Sequence, residues 1–199
     1  MLIWVLVVVA ASLAQHGKQP GSQRQTFVSP DGAFRFSYPR AYILNTKENA
    51  NEVGVSYISV CSDGAVCVVS RRSASEGTNF QAASFQEREI HDATTEIACL
   101  KGPSEDVPTY KLPKNDQRRM MGGVVFTHGR SGEGGAGNHM GSDFYRVFHK
   151  RKCYELSTSI ASSSFANFDP GTVKEFTRED ERRVQSELMT ILDSFGFLK

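Results

Sequence analysis

The sequence predicts an α+β protein in which antiparallel strands pack against a C-terminal helix. The strongest strand pattern lies near the start, where turn residues at 29–32 precede alternating aromatic side chains at 34–38. A second strand pair is predicted on either side of the basic turn 150–152. The clearest helix follows Thr177, a residue type that caps helix N-termini.

The chain opens with a segment typical of an export signal. Residues 1–14 carry no charged side chain, and the apolar run 2–13 is shorter than the roughly 20 residues that span a bilayer. Ser12 and Ala14 are small residues of the kind a signal peptidase recognises, which predicts cleavage before Gln15. We therefore expect an exported protein, periplasmic or secreted, with no stable membrane span after cleavage. A retained N-terminal anchor is the alternative.

After cleavage, we expect a flexible leader over 15–25 and a single domain over 26–199. The 23 Lys and Arg residues nearly balance the 22 Asp and Glu residues, for a formal net charge of +1. This balance predicts no nucleic-acid partner. The short basic pieces, including 118–119 and 150–152, are interpreted as solvated turns.

The four cysteines form an even set, which in an oxidising compartment predicts two disulfides. A turn at 63–64 between two β-branched runs predicts a hairpin that places Cys61 opposite Cys67. Cys99 is then left to pair with Cys153. The alternative is four free thiols in a cytosolic protein, and the spacings match neither a zinc site nor a redox motif.

Apolar runs bounded by turn residues predict the other strands. They lie at 42–44, 53–60, 65–70, 84–90, 120–127, 144–149 and 153–160. We predict a short helical turn over 80–83, capped by Gly77, Thr78 and Asn79, and a short helix over 93–100 with Asp92 as its cap.

The C-terminal helix combines three favourable patterns. Thr177 is the expected N-cap, and the acidic residues 179–181 occupy the first turn, where the helix dipole favours negative charge. Apolar side chains recur on one face, which predicts a helix packed on the sheet. The residues of this stripe are Val184, Leu188, Ile191, Leu192 and Phe195.

Two stretches carry a family resemblance. The segment 26–42, TFVSPDGAFRFSYPRAY, and the terminal ILDSFGF, with the late strand pair between them, resemble PsbP-like domains and related small exported proteins of bacteria. Tyr42 stands where tryptophan is commoner in those proteins. The resemblance implies an antiparallel β-sheet flanked by helices, an α/β/α sandwich. It carries over no catalytic residue, because such domains are largely noncatalytic.

The candidate functional residues surround a glycine-rich stretch at 129–141. His128 and His139 flank its core, and Asp143 lies close in sequence, so a loop-borne metal site or acid–base cluster is one interpretation. The other is a mobile loop with surface histidines. No Gly-Lys-Ser/Thr follows the glycines, and no serine has the setting of a nucleophile elbow, so we assign no catalytic residue, metal ligand or cofactor.

Two function classes remain open. The first is an exported noncatalytic domain that binds a protein or a cell-envelope component. The second is a metal-binding protein or an enzyme that uses His128, His139 and Asp143. The lack of a nucleophile or phosphate motif favours the first class.

Overall fold

The computed structural model describes residues 23–45, 61, 65–70, 77–101 and 118–199. The predicted signal peptide, the strand at 53–60 and the turn at 63–64 lie outside these residues. The strands are β1 (Arg24–Val28), β2 (Phe34–Pro39), β3 (Tyr42–Asn45), β4 (Val66–Ser70), β5 (Phe80–Glu89), β6 (Arg118–Met121), β7 (Val124–Gly135), β8 (Asn138–His149), β9 (Lys152–Ser163) and β10 (Gly196–Phe197). The α-helices are α1 (Glu96–Leu100) and α2 (Arg178–Asp193).

These strands form two antiparallel sheets. The larger has seven strands in the order β3-β4-β5-β9-β8-β7-β6, and the smaller has the order β1-β2-β10. The predicted first hairpin and the predicted late pair, β8 and β9, are both present, and the pair lies inside the larger sheet. β1 begins at Arg24, slightly before the expected domain start at Thr26. The mostly antiparallel α+β class predicted from the sequence is therefore confirmed.

Helix α2 packs its apolar stripe on one face of the larger sheet. All five predicted stripe residues are buried, and Leu188, Ile191 and Leu192 are fully so. They share a core with Phe36 of β2 and Leu156 of β9, so the small sheet, the helix and the large sheet close around one interior. The predicted cap is also present, because Thr177 and Asp180 form a reciprocal capping box.

The two helices lie on opposite faces of the larger sheet. Cys153 of β9 is bonded to Cys99 of α1, whereas the next residue, Tyr154, joins the core beneath α2. Successive residues of a strand point to opposite faces, which places α1 behind the sheet. The described residues thus supply one long helix on the first face and one helix of five residues on the second.

Both predicted disulfides are present. Cys61 and Cys67 are bonded with their Cα atoms 5.9 Å apart, and Cys99 and Cys153 with theirs 5.5 Å apart. The second bridge closes the longer loop, so in the chain-entropy model it restricts the unfolded chain more.

The face of β9 that carries α1 also carries a polar cluster next to that helix. Glu155 is 1% exposed and accepts hydrogen bonds from Arg88 Nε at 2.8 Å and from Arg146 Nε at 2.6 Å. Arg146 also donates to the carbonyl of Cys99 at 3.4 Å. This ionic cluster joins β5, β9, β8 and α1, and each buried charge has an opposite partner, as burial requires.

The helical turn predicted over 80–83 is wrong, because strand β5 begins at Phe80. Asn79 does not cap a helix: its Nδ2 donates to the Ser163 carbonyl at 2.6 Å, and its Oδ1 accepts from the Phe176 amide at 2.6 Å. These long-range bonds, with burial of Phe80, outweigh the local capping pattern.

The single strand predicted over 120–127 is also wrong. Gly122 and Gly123 have φ values of 55° and 81° and form a two-residue turn between β6 and β7. Two consecutive residues with positive φ suit the twist of a hairpin, and glycine adopts them without steric penalty. A Cβ at Gly122 would also lie 2.9 Å from the Cα of Gly196. Both the positive φ and this close approach therefore favour glycine at position 122.

The glycine-rich stretch at 129–141 is not a loop. It continues β7 and β8 as a paired hairpin that turns at Ala136 and Gly137. The Gly137 carbonyl accepts from Asn167 Nδ2 at 3.2 Å and from the Ser164 amide at 2.5 Å, which docks the tip on the 3₁₀ turn Phe165–Asn167. The prediction of an unpaired loop failed because β9 pairs with β8 as far as Asn138 and supplies the backbone partners.

No helix among the described residues is long and apolar enough to cross a membrane.

The packing of α2 gives the first testable prediction. Leu188→Ala and Leu192→Ala should each lower the free energy of unfolding by about 2 to 5 kcal/mol, because both side chains are fully buried and each change leaves a cavity. Urea denaturation measures the loss. Ser186→Ala, on the exposed side of α2, is the control and should stay within about 0.5 kcal/mol of the parent. Equal losses for all three variants would contradict the assigned face.

A second prediction concerns Glu87, a carboxyl group that is 5% exposed. Burial, followed by the charges of Glu89 and Asp31, raises its pKa from 4.5 to about 8. Because the pKa of Glu87 is higher in the folded state than in the unfolded state, protonation of this carboxyl group favours folding. The contribution to the free energy of unfolding is complete below pH 4.5 and is lost as the pH rises toward 8.

Glu87→Gln should remove this pH dependence. The stability of the parent minus that of the variant should fall by on the order of 1 kcal/mol per pH unit across this window and level off above it. Chemical denaturation at several pH values measures the difference. A difference that rises with pH over the same range would contradict the assignment.

Candidate functional site

A surface groove of about 510 Å³ lies between one end of the larger sheet and helix α2. Strands β6, β7 and β8 supply its floor and one side, and α2 supplies the other. Its lining contains three arginines, one carboxylate, one histidine and one tyrosine from the strands, with an amide and a thioether from the helix. These residues are Arg118, Arg119, His128, Arg130, Asp143, Tyr145, Gln185 and Met189.

Strand register brings the central side chains together. In the β7–β8 pair, His128 lies opposite Tyr145, and Arg130 lies opposite Asp143. Side chains two residues apart on a strand share a face, so all four point to the same side of the sheet. That side is the one covered by α2, because Gln185 of the helix reaches Asp143.

Asp143 is the centre of the polar contacts. Its Oδ1 lies 2.7 Å from His128 Nε2 and accepts from Arg130 Nε at 2.7 Å. Its Oδ2 accepts from Gln185 Nε2 at 3.4 Å. The side chains of His128 and Asp143 are only 12% and 16% exposed, so the carboxylate holds its neighbours in place from within the groove wall.

Tyr145 packs beside His128 and Asp143 and is only 3% exposed. Its ring stacks on that of His128 with centroids 4.6 Å apart and an interplanar angle of 11°. Its hydroxyl lies 3.9 Å from the sulfur of Met189. Burial and then the charge of Asp143 raise the pKa of Tyr145 to about 12. The phenol is therefore protonated at neutral pH, and it can donate a hydrogen bond but does not act as a base.

Positive charge predominates at the groove mouth. Arg130 is 76% exposed even though Asp143 holds its Nε, and the same carboxylate raises the pKa of the guanidinium. Arg119 contacts Asp193 at 2.6 Å on the rim and is 36% exposed. Three arginines thus line the groove against a single lining carboxylate. Guanidinium groups in this arrangement suit carboxylate or phosphate ligands.

Of the three candidate residues from the sequence, the structure brings together two. His128 and Asp143 are in contact, but His139 lies opposite Gly134, four positions along β8 from Asp143. That separation is roughly 13 Å along a strand. Within the ranges that the structure describes, no three His, Cys, Asp or Glu side chains are placed to hold a metal ion.

Sequence reasoning missed the arginines and Tyr145. The sequence predicts a solvated turn for the pair 118–119, but the pair lies on β6 and lines the groove. The i, i+2 spacings of His128 with Arg130 and of Asp143 with Tyr145 would have indicated a shared face. This rule applies only within strands, and the glycine content of 129–141 predicts a loop there instead.

Comparison with solved structures found proteins of similar fold at low identity. The cyanobacterial PsbP of Synechocystis sp. PCC 6803 has a TM-score of 0.44 and 14% identity, over 92% of this chain and 99% of its own. The Ran-binding protein Mog1p of Saccharomyces cerevisiae has a TM-score of 0.46 and 15% identity, over 87% and 94%. A PsbP protein is thus among the structures of similar fold that were found.

A protein from Bacteroides thetaiotaomicron VPI-5482 has a TM-score of 0.46 and 9% identity, over 87% of this chain. The chain spans about half of that protein, 48% of its length. No family model matches the chain, and no curated protein matches it in sequence.

The site gives a third prediction. Asp143→Ala should lower the free energy of unfolding by about 1 to 3 kcal/mol, because His128 and Arg130 lose the carboxylate that bonds them. Asp193→Ala is the matched control, since it removes a carboxylate that is 53% exposed from an arginine pair, and its effect should stay below about 1 kcal/mol. Thermal and urea unfolding measure both. A loss from Asp143→Ala no larger than the control's would show that Asp143 does not organise the site.

Proposed function

We propose that this chain is an exported, noncatalytic binding domain whose groove receives an anionic group from a protein or a cell-envelope component. The observation that carries the proposal is a groove lined by three arginines, of which Arg119 and Arg130 lie on its own face of the sheet, beside the partly buried pair of His128 and Asp143. The groove is wide enough for a side chain or a headgroup and is open to solvent.

The geometry favours binding through Arg130 in particular. Asp143 fixes the guanidinium through Nε, so less side-chain entropy is lost when a ligand binds than with a free arginine. The group stays largely exposed, and a guanidinium has five N–H donors. The His128–Tyr145 stack is buried next to this charge, with Tyr145 only 3% exposed, and supports the groove wall from behind.

The chemistry of the described lining supports a noncatalytic role. None of its eight side chains is a serine, threonine or cysteine, and the phenol of Tyr145 stays protonated at neutral pH. Metal binding at Asp143 is disfavoured because the guanidinium of Arg130 bonds the same oxygen as His128 does. Among the described residues of the groove, the contact between His128 and Asp143 is the one that an acid–base role would use, and its Asp143 Oδ1 is shared with Arg130.

Export is part of the proposal. Two disulfides are typical of a protein in an oxidising compartment. The apolar segment 1–14 has the length and composition of a signal peptide that would direct export. An α/β/α sandwich of the PsbP-like type is the architecture that we propose for the whole domain, with α2 and α1 on its two sides.

A fourth prediction tests the groove with two anionic probes, a glutamate-rich peptide and vesicles that contain phosphatidylglycerol. At least one should bind saturably, with affinity that falls as salt rises, because the contacts are ionic. The double variant Arg119→Gln, Arg130→Gln should weaken that binding by about tenfold or more, which calorimetry or co-sedimentation measures.

Arg35→Gln is the matched control. Arg35 is an exposed arginine on β2 that does not line the groove, so its loss should leave binding unchanged. Binding of neither probe, or equal binding by the parent and the double variant, would refute the proposed function.

A further inference from the structure

The outer edge of the groove is a strand edge. Among the strands of the described residues, β6 is the last of the seven-stranded sheet, and its residue Met120 is 71% exposed. Val125, directly opposite on β7, is 46% exposed. Exposed apolar side chains beside a terminal strand are unusual, because proteins commonly protect such edges from pairing with another chain.

The backbone of β6 is oriented to accept another strand. In a two-residue hairpin the residues flanking the turn bond each other, and here those are Met121 and Val124. Hydrogen-bonding direction alternates along a strand, so Met120 directs its N–H and C=O away from β7. These groups lie on the same edge as the exposed side chain.

The two faces of this edge differ in chemistry. Arg119 lies opposite Phe126, a residue of the core beneath α2, and so faces the groove. Met120 and Val125 point to the other face. A strand added beside β6 would therefore place alternate side chains near the arginines and near the two apolar residues.

We propose that the partner is an extended protein segment with alternating acidic and apolar residues, which adds a strand to β6. Its carboxylates lie over Arg119 and Arg130, and its apolar side chains cover Met120 and Val125. This inference rests on the proposed function and specifies the partner for the same groove. Main-chain bonds supply affinity in this binding mode, and the alternate side chains supply specificity.

Charge selects this occupant over a second copy of the chain. Two copies of β6 paired at their edges would bring Arg118 and Arg119 of each copy together, and like charges across a strand pair are destabilising. An acidic segment instead meets Arg119 and Arg130 on the groove face.

The test uses an N-acetylated, C-amidated peptide of alternating glutamate and valine, labelled with a fluorophore. Two analogues carry backbone N-methyl groups, one on every glutamate and the other on every valine. In an added strand only one alternating set of peptide N–H groups faces β6. Fluorescence anisotropy should therefore show that one analogue loses affinity by about tenfold or more, while the other binds within about threefold of the parent.

Substitutions in the protein give an independent test of strand addition. Met120→Glu should weaken binding of the unmethylated peptide by about tenfold or more, because it removes an apolar contact and adds repulsion at the edge. Ile97→Glu, at a residue of α1 that is 79% exposed, is the control and should change nothing.

Equal effects of the two methylation patterns would overturn strand addition. If the peptide still binds and the groove double variant weakens it, the proposed function stands without this inference. Binding of anionic vesicles but not of the peptide would likewise overturn the inference alone, and failure of both probes would overturn both proposals.

Discussion

The packing of α2 on the larger sheet is the interaction on which the rest of the structure depends. The stripe that includes Leu188 and Leu192 closes the core between the two sheets. Gln185 and Met189 each follow a residue of that stripe, Val184 and Leu188. The orientation of the helix that buries the stripe therefore also places these two side chains in the wall of the groove. A rotation of the helix would expose the stripe and withdraw Gln185 from Asp143. The packing of the core therefore also fixes the geometry of the groove.

The groove differs in charge from the molecule as a whole. A net charge of +1 gives no indication of an anion-binding surface, but three arginines from β6 and β7 line one groove. Asp143 and the rim residue Asp193 each offset one of these three charges. Asp143 is partly buried and holds His128 and Arg130 in position, while the Arg130 guanidinium extends into solvent. One partly buried carboxylate thus orients the arginine side chain that carries the exposed charge.

Local patterns predicted much of the fold. The first hairpin, the disulfide pairs and helix α2 depend on turn residues, cysteine spacing and helical periodicity, all of which act over short stretches. The strand at 129–135 depends on long-range pairing, since its glycines have no strand propensity of their own and are held by β8. The groove could not be predicted for the same reason. His128 and Asp143 meet only through that register, and His139 is separated from them by it.

The central claim is that binding occurs at this groove and not at another surface. NMR titration of isotopically labelled protein with the glutamate–valine peptide tests it most directly, because amide and side-chain shifts report the location of contact. The account predicts that the perturbed signals come from β6, β7, the adjoining part of β8 and the side-chain amide of Gln185. Perturbations confined to α1 and the face of Arg88 and Glu155, with the groove signals unchanged, would contradict it.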